Sequence, residues 1–319
     1  ITGGTITSWI YNYGSLTMTN GTITSNIKNQ STGQATITGG NISGDISNSG
    51  TLNVGEKDGT VSKESPIITG SKYGVSNSGT FNFYDGTIKG KTGAINGAVT
   101  EVEDGYEIIK ETIDSYEVKY LDKLPIAKLV NKDKEYTDLQ EAINDAETGE
   151  TIEILRDATF ISSTETFEVP ESKNITIDIK GYILTRANST LLNNKGTLEI
   201  KDSGKGEEDS KTYGKIENAG GTAIANTESG TLIITKGTIT GYNGIENSST
   251  GKVTINDGSI TSSGVESENN AAVLNTSSGT IEVNGGTLNG YSRWNRGIRN
   301  TGTGKLIIND WKEFSTNDG

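Results

Sequence analysis

Three short runs in the second half of the chain, Thr231-Leu232-Ile233-Ile234, Gly237-Thr238-Ile239 and Ile245-Glu246-Asn247, decide the fold. Apolar side chains recur at every second residue within each run, the period of a strand with one buried face. Gly, Asn and Ser bound the runs and supply the turns between them. Three such runs in about 21 residues describe one coil of a winding chain. The phrase returns as Gly14-Ser15-Leu16-Thr17-Met18, Gly21-Thr22-Ile23 and Ile27-Lys28-Asn29, and again as Thr280-Ile281-Glu282-Val283, Gly286-Thr287-Leu288 and Ile298-Arg299-Asn300. Thr51-Leu52-Asn53-Val54, Gly59-Thr60-Val61 and Val75-Ser76-Asn77 make a further copy.

The closing asparagines stand at 12, 29, 48, 77 and 96, then at 193, 226, 247, 275 and 300. Their spacing, from 17 to 33 residues, is too scattered for a helical repeat. It fits a coil of about 19–21 residues with inserts at 56–71, 202–213, 262–270 and 291–296. A three-sided parallel β-helix stacks its inward positions coil upon coil, about 4.8 Å apart. Leu16, Met18, Ile23 and Ile27 are expected inward in one coil, and Leu232, Ile234, Ile239 and Ile245 in another. Thr suits the exposed strand face. The recurring Asn is expected at a turn, tolerating the left-handed region and bonding its own backbone or its neighbour in the next coil.

Composition agrees. Gly (42), Thr (44) and Asn (30) exceed a third of the 319 residues, and the chain lacks His and Cys. That removes His-dependent triads, thiol nucleophiles, Cys/His zinc sites and disulfides. The net charge of −13 gives no basic stripe for nucleic acid. No apolar window is long enough to span a bilayer as a helix. Ile1 begins within a repeat, so we expect a segment of a longer protein.

These coils resemble right-handed parallel β-helix proteins of the pectate-lyase-like superfamily, and more narrowly the Gly-Thr-rich repeats of adhesin-like bacterial surface proteins. The resemblance covers 1–96 and about 151–310. It implies an all-β chain with two right-handed three-sided β-helix segments, the second opened by a short capping α-helix.

Residues 97–150 break the pattern. Tyr106-Glu107-Ile108-Ile109 and Tyr116-Glu117-Val118-Lys119-Tyr120 read as a β element closing the first solenoid. Ala127-Lys128-Leu129-Val130 and Glu135-Tyr136 read as a small hairpin. Thr137 is expected to be the N-cap of a helix over about 137–147, in a capping box with Gln140. Leu139, Ala142, Ile143 and Ala146 repeat at helical spacing, and Gly149 ends the helix. Such a helix can plug an open solenoid end. The stretch 136–155 resembles the N-terminal cap of extracellular β-helix domains in Firmicute-type surface proteins. The domains expected are 1–98, the last coils of a first β-helix; 99–124, a closing β element and linker; and 125–319, a second β-helix with its hairpin and cap.

Chemistry is sparse. A glycosidase needs two acids about 5–9.5 Å apart across one groove, whereas Asp85, Glu199, Asp257 and Glu282 fall at outward or turn positions. Glu207-Glu208-Asp209 lies in a Gly/Ser/Lys-rich insert. Calcium-loop motifs are absent, so no catalytic, cofactor-binding or metal residue is singled out. The most unusual surface stretch is Tyr291-Ser292-Arg293-Trp294-Asn295-Arg296, where Tyr291, Arg293, Trp294 and Arg296 could contact a ligand or partner by stacking and cation–π interaction. Trp9 and Tyr11 occupy the matching stretch of an early coil, before Asn12.

The expected function is a non-enzymatic extracellular structural or adhesive module of a large bacterial cell-surface or secreted protein, a stiff solenoid stalk. The alternative is a carbohydrate-binding or polysaccharide-degrading β-helix. Expected partners are a host or neighbouring-cell glycan or protein and further β-helix segments of the same longer chain. Neither nucleic acid nor membrane insertion is expected.

Overall fold

A computed structural model describes residues 1–160, 166–204, 213–264, 270–290 and 296–309. The chain forms two compact units, Ile1–Leu124 and Pro125–Gly319. Each is a parallel β-helix with three sheets, and each has its own core.

The first unit carries sheets of seven, five and five strands, visited in rotation. Ile6, Ile23, Ile42, Ile68 and Ile88 align in register down the first sheet. Ile10, Ile27, Ile46, Val75 and Ile95 do so in the second. Met18, Ile37, Val54 and Phe83 do so in the third. All these columns point inward. The second unit repeats the plan with nine, six and six strands. Leu232, Ile234, Ile239 and Ile245 are fully buried, as are Met18, Ile23 and Ile27 in the first unit. Leu16, in the outermost described coil, packs on the core while staying partly exposed. Outward residues of the same strands are half-buried Thr, Glu and Lys, in the alternation set by the pleat.

One run in the reading of the coils changes. Gly59-Thr60-Val61 is not a strand; strand Ile67–Gly70 takes its place opposite Asn41–Ile42. Val61 packs on the core from within the insert instead. Glu103 holds that insert by accepting the Asp58 N–H with both carboxylate oxygens, at 3.1 and 3.2 Å. In the second unit Asp202, 3% exposed, performs a similar task. Its Oδ1 accepts the N–H groups of Gly181 and Gly204, and its Oδ2 accepts that of Gly214 at 2.6 Å. One carboxylate thus ties both ends of an insert to the preceding coil.

Each unit is closed by an antiparallel element. In the first, strands Tyr106–Ile113 and Tyr116–Lys123 form a hairpin, and the latter pairs with Thr87–Gly90. Asp114 and Ser115 have φ of 50° and 68°, the positive pair that a two-residue hairpin turn requires. Leu121 reaches the core from this hairpin. In the second unit, strands Ala127–Leu129 and Lys134–Tyr136 form a hairpin on the edge strand Thr151–Ile154. The capping helix spans Leu139–Asp145 and buries Leu139, Ala142 and Ile143 against the coil stack.

The helix ends differ from the capping-box expectation. Asp138, not Thr137, is the N-cap, and its carboxylate accepts the N–H groups of Gln140 and Glu141. A carboxylate does this well, because it also faces the positive end of the helix dipole. The helix stops at Ala146 in extended conformation, before Gly149. Gln140 is freed for another task. Its amide donates to the Glu168 carbonyl at 2.9 Å and accepts the Glu168 N–H at 2.7 Å. Glu168 lies in the edge strand Phe167–Val169, so one side chain supplies the pairing that a missing neighbour strand would give.

Candidate functional site

The most regular polar structure is internal. Asn12, Asn29, Asn48 and Asn77 stack down the first unit, each Nδ2 donating to the next Oδ1 at 2.7–2.8 Å. Asn194, Asn226, Asn247, Asn275 and Asn300 do the same in the second, also at 2.7–2.8 Å. The second hydrogen of each amide goes to turn carbonyls, such as Gly230 O from Asn226. Asn226, Asn247 and Asn275 are fully buried, yet their amides are satisfied by repetition of themselves. After most of these Asn residues the chain passes so close to the previous coil that only Gly fits: a Cβ on Gly279 would lie 2.3 Å from Ser249 O.

Three expectations about these residues are corrected. None of the ladder asparagines has positive φ; each ends a strand with its side chain inward, and bonds to the nearby turn, such as Asn77 to Gly79 O, stand beside the bond to the next coil. The ladder residue of its coil is Asn194 rather than Asn193, which faces outward beside Ala225. Asn96 is exposed and does not extend the first ladder, because Asn77 donates to the carbonyls of Gly79 and Ala98. Where the second ladder begins, Val169 occupies the Asn position, and Asn194 Oδ1 receives no hydrogen bond from the described residues.

The outward acids are engaged in structure. Glu199 bridges coils, accepting from Thr176 at 3.2 Å and Thr235 at 2.5 Å. Glu282 pairs with Lys252, which holds its carboxyl below the usual range, and accepts from Asn309. Asp257 caps the Gly258 N–H. Asp85 accepts the N–H groups of Ser62 and Gly86, while burial pushes its carboxyl up. The closest approach to a carboxylate pair is Glu171 with Glu228 in the second unit. Glu228 pushes the Glu171 carboxyl up, while Lys195 holds Glu228 down. Lys195 also bridges Glu168 and Glu228 at 3.0 and 3.1 Å. No group of three or more metal-ligating side chains occurs among the described residues.

Two shallow grooves lie at coil corners. In the first unit an open groove of about 350 Å³ runs across Thr24, Ser25, Ser43, Gly44 and Thr69 to Lys91 and Tyr116. In the second a groove of about 210 Å³ runs beside Tyr213, Lys236 and Asp257, with Lys236 Nζ 5.2 Å from the Tyr213 ring centre.

Of the residues singled out from sequence, Tyr291, Arg293 and Trp294 lie outside the described residues, as do the acids 207–209. Arg296 is exposed at the start of strand Arg296–Asn300. Trp9 and Tyr11 are placed, 56% and 55% exposed, with rings stacked 5.9 Å apart at 22°. Tyr13, 66% exposed, lies one residue past the strand. It escaped the sequence reading, although aromatics at 9, 11 and 13 share the parity of an outward strand face.

No helix among the described residues is long and apolar enough to cross a membrane. Searches of family models, of curated proteins and of solved structures each return no match for this chain.

Proposed function

We propose that this chain is a structural and adhesive module of a bacterial cell-surface protein, two solenoid units whose surfaces, rather than a catalytic centre, meet its partners. The observation that carries the reading is the buried asparagine ladder. It links successive coils of each unit by side-chain bonds parallel to the sheet bonds, so neighbouring coils are joined on the inside as well as through backbone. The repeats resemble those of adhesin-like surface proteins, and the acidic surface (net charge −13) favours solubility and resists anionic polymers. The outward acids serve coil-to-coil contacts, which supports a non-enzymatic role.

The test is an activity screen with a binding arm. The chain is incubated with pectin, xylan, cellulose, chitin and galactan, and released reducing ends and unsaturated sugars are measured. Immobilised chain is then probed for retention of whole cells. Retention without release is expected. Sustained release of oligosaccharide, abolished by Glu171→Gln or Glu199→Gln, would overturn the reading.

A further inference from the structure

The second sheet of the first unit turns one face to solvent. Ile10 and Asn12 point inward, so Tyr11 points outward; Trp9 stacks with it, and Tyr13, one residue past the strand, is also exposed. In the following coils the position of Tyr11 is taken by Lys28, Ser47 and Ser76. The position of Tyr13 passes to Gln30, Ser49 and Ser78, since the N–H of each bonds the ladder Asn carbonyl of the coil before. In the coils that follow, the aromatic surface therefore gives way to hydroxyls, amides and one ammonium. These three rings stand among few exposed large apolar side chains in the described residues.

We propose that Trp9, Tyr11 and Tyr13 form a stacking platform for the C–H faces of an uncharged pyranose oligosaccharide. Area decides against a protein partner. At their measured exposures, rings of about 150–250 Å² each offer roughly 400 Å² in all, about half of the ~800 Å² per partner that a stable dimer needs. A patch of that size falls in the range that is often functional on a monomer. Its shape suits a sugar. Two near-parallel rings present flat faces, while the phenols of Tyr11 and Tyr13 and the Lys28–Ser47–Ser76 row offer donors and acceptors at the rim for equatorial hydroxyls. Stacking a nucleic-acid base would use the same rings, but the chain's negative charge opposes a polyanion. The proposal deepens the adhesive side of the function proposed above and rests on it.

The experiment titrates the full chain by calorimetry with cello-, chito- and β-galacto-oligosaccharides, with a thymidine oligonucleotide as the polyanion control. One oligosaccharide is expected to bind. Trp9→Ala and Tyr11→Ala should each weaken it at least tenfold, about 1.4 kcal/mol, with no change in melting temperature; Trp294→Ala should bind as wild type. Failure of all three sugars to bind, full affinity in Trp9→Ala, or preference for the oligonucleotide would overturn the proposal. So would concentration-dependent dimerisation in ultracentrifugation that Trp9→Ala abolishes. Polysaccharide cleavage would overturn the non-enzymatic reading and leave the platform standing, so the two failures are distinguishable.

Discussion

Replacing Asn247 with Ala tests the ladder where it is most enclosed. Asn247 accepts from Asn226 and donates to Asn275, both at 2.8 Å, with a longer contact to Ser249 O at 3.4 Å. Losing two buried bonds costs about 1 kcal/mol each. Asn275 Oδ1 then keeps only a distant Ser277 hydroxyl at 3.5 Å, and an unmet buried acceptor costs about 1–3 kcal/mol. The sum is about 3–5 kcal/mol. For a unit of this size each kcal/mol lowers the midpoint by about 2–4 °C, so a fall of roughly 10 °C is expected. Asn300→Ala is the control: Asn300 sits at the ladder's far end, takes one ladder bond and donates to Gly304 O in an exposed setting, and should cost about 1 kcal/mol. Calorimetry reads the midpoint, and hydrogen exchange across Ile224–Asn226 and Ala271–Asn275 assigns it to the second unit. A midpoint for Asn247→Ala within a degree or two of wild type, or equal to that of Asn300→Ala, would refute the ladder's role.

Ile239 aligns with Ile216 and Ile260 in the core; Ile239→Asp should cost several kcal/mol by burying an unpaired acid, whereas outward Thr240→Ala should stay within about 0.5 kcal/mol, both read by thermal melting. Gln140→Ala removes both bonds to Glu168, about 2 kcal/mol, and uncovers the edge of Phe167–Val169; light scattering should show increased self-association, and a monodisperse variant would contradict the cap. Asp145 is held below the usual carboxylate range by the Tyr136 hydroxyl and then Lys134. A depressed folded-state value means that its stabilisation is present above the unfolded value and is lost as pH falls through the depressed one. Protection factors for hydrogen exchange over Leu139–Asp145, referred to the intrinsic rate at each pH, should therefore fall on acidification, and Asp145→Asn should flatten that dependence.

The coils were legible because burial imposes period 2 on every face, and a column such as Leu232, Ile234, Ile239 and Ile245 repeats it coil after coil. What the sequence hid are choices between neighbours of equal chemistry. Asn193 and Asn194 differ only in pleat parity, which depends on the pairing of Leu192 with Ile224. Thr137 and Asp138 are both good N-caps; position relative to the buried Leu139 selects the second. Gly59-Thr60-Val61 copies the coil phrase, yet Ile67-Ile68 wins the register beside Asn41–Ile42. On the surface, outward aromatics carry no periodic signal of their own, so Tyr13 emerges only once Asn12 is seen to point inward. The platform lies on Trp9 and Tyr11, named from sequence merely as the counterpart of the 291–296 stretch.

Because Asp202 grips Gly181, Gly204 and Gly214 at once, whatever joins Gly204 to Gly214 begins and ends at fixed points. Doubling the length of a joining segment costs only about 0.6 kcal/mol of closure entropy. A foreign epitope or a small folded guest spliced at that site would be presented on the solenoid's flank with the strands around it undisturbed, which makes this corner a natural mounting point for engineered display.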